Sequence, residues 1–231
     1  PFNQNTTYCM FLANNTILIQ YLVFYFNFFR AMMNSQRKRL VVIFMKLAVF
    51  CGVCYGKEAK YKELAERIGE YIADKGLDLV SGGSISGLMG AVSNGVINKH
   101  GNVTGICSRG FFDDDLSRKE INEFIFTETM DEKKQLLINK SDAYLILPGG
   151  LETLEELFHL LSSIAIGLVP PKPIAILDID GYYQSLIEFL IKASNEDFID
   201  YQAIKHILIS DDYQSLINKV CIELSEMGVV A

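Results

Sequence analysis

The chain has 231 residues, half of them hydrophobic, and a formal charge of −7. An apolar half with 21% charged residues excludes a disordered chain, and five cysteines are too few for a disulfide scaffold. The acidic balance excludes a general nucleic-acid binder with a basic surface. The averages hide two kinds of sequence. Residues 1–44 contain no Gly, Asp or Glu and carry +4, from Arg30, Arg37, Lys38 and Arg39. Residues 45–231 hold all 17 glycines and a net charge of −11.

The apolar run Thr16–Phe29 is shorter than the roughly 20 residues that span a bilayer. Its positive charges follow it, whereas a signal peptide places them before. Residues 1–44 therefore read as a leader outside the chemistry: upstream DNA translated in frame, with the true start at Met45, or else a short anchor or amphipathic interaction segment. Residues 45–231 read as one domain, cytoplasmic, with no membrane role expected.

From Met45 onward, short apolar runs alternate with amphipathic segments. Lys46–Cys51 predicts a buried strand, and residues 57–75 a helix stopped by Gly76. Leu77–Val80 predicts a strand that runs into the glycine-rich segment 81–90, then a helix over Leu88–Lys99 and a strand over Val103–Cys107. Residues 109–120 read as a loop and Glu123–Phe126 as a short strand. Thr129 predicts a helix cap, with the helix reaching about Lys140. Ala143–Leu147 predicts a strand, Thr153–Ile166 a helix and Ile174–Leu177 a strand. Asp178–Gly181 predicts a turn, Tyr182–Ala193 a helix, His206–Ile209 a strand and Tyr213–Met227 a last helix. This alternation implies right-handed crossovers and an α/β fold: a Rossmann-like, doubly wound parallel sheet with helices on both faces. Ligands in such sheets sit beyond the carboxyl ends of the strands. The loops to watch are those after Cys51, Val80, Cys107 and Leu147.

Two of these loops are rich in glycine. Residues 81–90 (SGGSISGLMG) join a strand to a helix, where glycines admit a close ligand and free N–H groups attract an anion. They match neither G-x-G-x-x-G nor a Walker loop. A tight turn with glycines for helix–sheet packing explains them equally well. Residues 148–156 (PGGLETLEE) have the same context. There Thr153 and Glu156 have capping-box spacing, which would place Glu156 in the first helical turn, where the helix dipole favours its ionised form. Capping alone does not call for Pro-Gly-Gly before it. Two such loops suggest one phosphate-binding cleft.

Residues 81–90, Met130–Lys134 (MDEKK) and 148–156 resemble the LOG ("lonely guy") family of phosphoribohydrolases, often labelled lysine decarboxylase-like. The resemblance extends to Phe50-Cys51-Gly52 and Asp180–Tyr183, and so covers nearly all of residues 46–225. It implies a small-molecule nucleotide substrate: hydrolysis of nucleoside 5′-monophosphates, AMP or cytokinin ribotides, to base and ribose 5-phosphate. It also implies a homodimer or larger homo-oligomer, no metal and no cofactor. Glu156 and Lys133 correspond to the catalytic pair. Gly82, Gly83, Ser84, Arg109, Met130, Lys134, Gly149, Gly150, Thr153 and Glu155 correspond to substrate- and phosphate-binding positions. Asp115 falls near an acidic position of the family's loop. Lys133 replaces an arginine, losing the bidentate fork, and Glu152 replaces a glycine beside the expected phosphate.

Other readings compete. Cys51-Gly52-Val53-Cys54 has the C-x-x-C spacing of redox proteins, though the chain contains no Trp to precede it. The altered loops also suit a non-catalytic nucleotide or cofactor carrier of the same fold. His100, His159 and His206 lack metal-ligand spacing, and His159 is expected on a helix face.

Overall fold

The computed structural model describes residues 45–109 and 121–228. The leader 1–44, Asp115 and nearly all of the expected 109–120 loop lie outside the described residues. Seven strands form one sheet: β1 (Lys46–Phe50), β2 (Asp78–Ser81), β3 (Val103–Ser108), β4 (Glu123–Thr127), β5 (Ala143–Ile146), β6 (Ile174–Leu177) and β7 (Ile207–Ser210). Their order is β4-β3-β2-β1-β5-β6-β7, and every neighbouring pair is parallel.

The helices are α1 (Ala59–Asp74), α2 (Gly87–Asn98), α3 (Met130–Asn139), α4 (Leu151–Ala165), α5 (Gln184–Asn195), α6 (Tyr201–Ile204) and α7 (Tyr213–Glu226). The two-residue period of a strand sends alternate side chains to opposite faces. Leu47 and Val49 join a core with Ile68, Val92 and Leu216, from α1, α2 and α7. Ala48 and Phe50 join a second core with Leu137, Leu157 and Leu190, from α3, α4 and α5. The sheet is thus covered on both faces, as the alternation of elements implied.

Close packing places α1 against α2. A Cβ at Gly69 would collide with the Val92 carbonyl, and one at Gly95 with the Glu66 carbonyl. Gly76, at φ 69, ends α1, and the Leu77 N–H donates back to the Ile72 carbonyl at 3.1 Å.

Most boundaries shift by one or two residues, one of them at the site, and one short helix was not expected. The helix expected from Thr153 begins at Leu151, with Gly150 as its N-cap. The short helix α6 follows Asp200, whose side chain accepts from the Gln202 N–H. Four residues carry no periodicity, so the sequence pattern does not announce it.

The order of strands reverses between β1 and β5. The chain builds outward through β2, β3 and β4, then returns to the other side of β1. The loops leaving β1 and β5 diverge there and open a crevice at the carboxyl edge, the usual ligand position in open α/β sheets.

Candidate active site

The crevice holds a cavity of about 240 Å³, whose lining includes Gly52, Cys54, Tyr61, Leu88, Gly149 and Tyr182. Its walls are cross-braced by backbone. The Gly52 N–H donates to the Pro148 carbonyl at 3.0 Å, joining the loops after β1 and β5. The Leu88 N–H donates to the Gly52 carbonyl at 3.0 Å, joining the first of these loops to α2. Gly149 is pinned where no side chain fits: a Cβ there would strike the Thr153 hydroxyl and approach the Gly52 nitrogen to 2.9 Å.

Thr153 is the third residue of α4, not its cap. Its hydroxyl is buried and has no hydrogen-bond partner. A buried hydroxyl without a partner costs about 1–3 kcal/mol. The capping box expected from Thr-x-x-Glu is therefore not formed. The N–H groups of the first turn of α4 stay open to an anion, with Thr153 beside them.

Glu156 lies three residues further along the same face of α4, in the second turn rather than the first. It is 9% exposed. Burial pushes its carboxyl up to about 7, helped by the charges of Glu155 and Glu152 and opposed by Lys133 and Lys134. The expected dipole-favoured, readily ionised carboxylate is replaced by one that is half-charged near neutrality, because desolvation outweighs the helix end. Lys133, on α3, brings its Nζ to 3.8 Å from Glu156 Oε1, with both side chains 10% exposed. That is an ion pair without a hydrogen bond.

The glycine-rich loop after β2 packs against the Lys133 side of this pair. A Cβ at Gly82 would lie 3.2 Å from Lys133 Nζ. Gly83, at φ 76, packs where a Cβ would strike Cys107 Sγ. The Cys107 thiol donates to the Gly82 carbonyl at 3.3 Å. Burial raises that thiol to about 11 against the pull of Lys133. Ser84 is buried and hydrogen-bonds within its own loop, to Ser86.

The remaining expected residues spread outward. Lys134 Nζ is held by Glu155 Oε1 at 2.7 Å and Asp131 Oδ1 at 3.0 Å. Arg109 is exposed, pairs with Glu128 at 3.1 Å and lies over the Phe126 ring at 5.6 Å. Met130 is exposed at the first turn of α3. Glu152 is exposed at the start of α4.

Burial and the charge of Glu156 push the Cys51 thiol above its ordinary range, whereas Cys54 is exposed. A thiol held protonated is a poor nucleophile, which weighs against dithiol chemistry at Cys51. His159 is half-buried on α4, with Nε2 buried and unpartnered. No group of three His, Cys, Asp or Glu residues among those described could hold a metal. Sequence reasoning did not single out Tyr61 or Tyr182 for the cavity. The resemblance at Asp180–Tyr183 was the one available signal for Tyr182.

Comparison with known proteins fits this geometry. A family model described as "Possible lysine decarboxylase" matches residues 89–220. The "Cytokinin riboside 5'-monophosphate phosphoribohydrolase LOG1" of Arabidopsis thaliana is 35% identical over 167 residues, covering 72% of this chain and 78% of that protein. The chain belongs to the LOG family. The LOG-family relative "Probable cytokinin riboside 5'-monophosphate phosphoribohydrolase LOGL6" of Oryza sativa subsp. japonica is 36% identical over 166 residues, 72% of this chain. The matched part spans 66% of that longer relative. The molybdenum cofactor carrier protein of Chlamydomonas reinhardtii shares the LOG-family fold. It has a TM-score of 0.62 at 18% identity, over 78% of this chain and 98% of that one.

Proposed function

We propose that this chain hydrolyses the N-glycosidic bond of nucleoside 5′-monophosphates, of the AMP or cytokinin-ribotide type, to free base and ribose 5-phosphate. The observation that carries the proposal is Glu156: a buried carboxyl near pKa 7, beside Lys133 and one helical turn below an anion-receptive helix start.

As the bond from C1′ to the base nitrogen lengthens, the ribose ring gains positive charge. Ionised Glu156 stabilises that charge and takes a proton from water. The water oxygen bonds to C1′, the base leaves with the electron pair of the broken bond, and the proton taken from water passes from Glu156 through solvent to the base, which restores the carboxylate. Lys133 offsets part of the burial effect and so keeps an ionised fraction of Glu156 at neutral pH. The phosphate is received by the amides of Gly149, Gly150 and the first turn of α4, with the Thr153 hydroxyl. Gly82, Gly83 and Ser84, in the loop that packs against Lys133, are assigned further substrate contacts. Met130, Lys134, Glu155 and Arg109 are assigned outer substrate contacts, for which Lys134 and Arg109 would exchange their present carboxylate partners for phosphate oxygens.

Assembly and location complete the proposal. Membership of the LOG family suggests a homodimer or larger homo-oligomer, and Ile166 and Leu168, both 71% exposed just beyond α4, are apolar residues such a contact could cover. We assign the hydrolase domain to residues 45–231 and infer a cytoplasmic location. No described helix is long and apolar enough to cross a membrane.

The deciding experiment incubates the full chain with AMP and other nucleoside monophosphates and assays base and ribose 5-phosphate. Glu156→Gln should lower turnover by roughly 10²–10⁴-fold. Full activity in that variant, or no turnover of any monophosphate by the wild type, overturns the reading. Tight nucleotide binding without turnover would favour the carrier reading. The charge of Glu152 at the helix start and the carboxylate partners of Lys133, Lys134 and Arg109 support that alternative.

A further inference from the structure

At the rim of the β1–β5 cavity, Tyr182 links the loops after β6 and β5 to helix α1. It follows the 3-10 turn Ile179–Gly181 after β6 and is 47% exposed. Its hydroxyl donates to the Gly149 carbonyl at 2.7 Å. Its ring meets Tyr61 of α1 edge-on at 6.3 Å, and Tyr183 at 4.9 Å. The turn is tied to α1 a second time by Lys60 Nζ, 2.7 Å from Asp180 Oδ2. Tyr183 is anchored at both ends: its N–H donates to Asp178 Oδ1 at 2.6 Å and its hydroxyl to the Leu147 carbonyl at 2.7 Å. The two tyrosines thus hold the carbonyls on either side of Pro148.

The consequence follows from peptide geometry. In a trans peptide the C=O and N–H point in opposite directions. Fixing the Gly149 carbonyl therefore fixes the direction of the Gly150 N–H at the head of α4. Glycine offers little resistance to rotation of its own, so a tether from outside the loop is needed to hold that amide. We propose that Tyr182 is a positioning residue for the anion-binding Pro148–Gly150 loop, acting through the Gly149 carbonyl. The inference rests on the reading of this crevice as the phosphate end of a hydrolase site.

The test compares the full-length wild type with Tyr182→Phe, which keeps the ring and removes the hydroxyl, and with Tyr182→Leu, which removes both. Calorimetry measures the affinity for ribose 5-phosphate and for adenosine, and kinetics measures kcat and KM with AMP. Tyr182→Phe should weaken ribose 5-phosphate about three- to tenfold, the effect of one hydrogen bond. KM for AMP should rise by a similar factor, kcat should move less, and adenosine affinity should stay within about twofold. Unchanged ribose 5-phosphate affinity in Tyr182→Phe, with loss only in Tyr182→Leu, would show that the ring alone matters and overturns the inference. Equal weakening of adenosine overturns it too, because that marks a general structural role. A wild type that binds ribose 5-phosphate but releases no base defeats the hydrolase reading alone, and the affinity comparison still decides the role of Tyr182. A wild type that does not bind ribose 5-phosphate defeats both.

Discussion

Opposing effects set the charge of Glu156: desolvation raises its carboxyl, and the Lys133 cation lowers it. In the proposed mechanism hydrolysis uses the ionised form, so kcat/KM should fall about tenfold per pH unit below about 7. Lys133→Met removes the lowering charge and should move this limb of the pH–rate profile upward, as a profile from pH 5 to 9 would show. The same group leaves a mark on stability. A carboxyl raised in the folded state binds its proton more tightly there than in the unfolded chain, where it titrates near 4.5. Folding is therefore favoured below that value, and the advantage is lost as pH rises through about 7. Each pKa unit is worth 1.36 kcal/mol, so Glu156→Gln, which cannot ionise, should gain roughly 3 kcal/mol on the wild type between pH 4 and pH 8. Urea denaturation at both pH values measures the gap, and a gap independent of pH contradicts the burial argument. Stability given up at neutral pH is the usual companion of a working buried carboxyl.

At the scale of elements, the strongest constraint outside the crevice is the contact of α1 with α2. Gly95 faces the Glu66 carbonyl so closely that one added methyl must push the helices apart. Gly95→Ala should cost about 1–3 kcal/mol, read as a lower midpoint in thermal or urea unfolding. Every strand and every helix except α6 was legible in the sequence, because apolar runs of four to six residues alternated with helical periodicity. The glycines that end elements also marked them, as Gly76 does. The start of α4 was not legible. Thr-x-x-Glu is the spacing of a capping box, but it is equally the spacing of two side chains on one helical face. Only the backbone of Gly149 and Gly150 decides which applies. The pairing of Lys133 with Glu156 joins residues 23 positions apart on two different helices, and no local pattern encodes it. The resemblance supplied those two positions. It did not reveal that Lys134 and Arg109 already have carboxylate partners, since pairing depends on how α3 and β3 lie beside α4 and Glu128.

For the whole molecule, the acidic net charge of residues 45–231 places a condition on any phosphate ligand. Long-range attraction is absent, so recognition falls to short-range donors: backbone amides, the Thr153 hydroxyl and cations that exchange partners. The crevice itself exists only where β5 has docked beside β1. That docking is held by contacts such as the Lys46 N–H to Asp142 Oδ2, 96 residues apart in sequence. The strands β1 to β4 can assemble from comparatively local pairings, whereas the crevice waits for a long loop to close. Loop-closure entropy makes such contacts slow to form. During synthesis the nascent chain can thus build half its sheet while still unable to recognise a ligand. On the proposed site, binding competence arrives with the strand that ends at Ile146 and the helix that follows it.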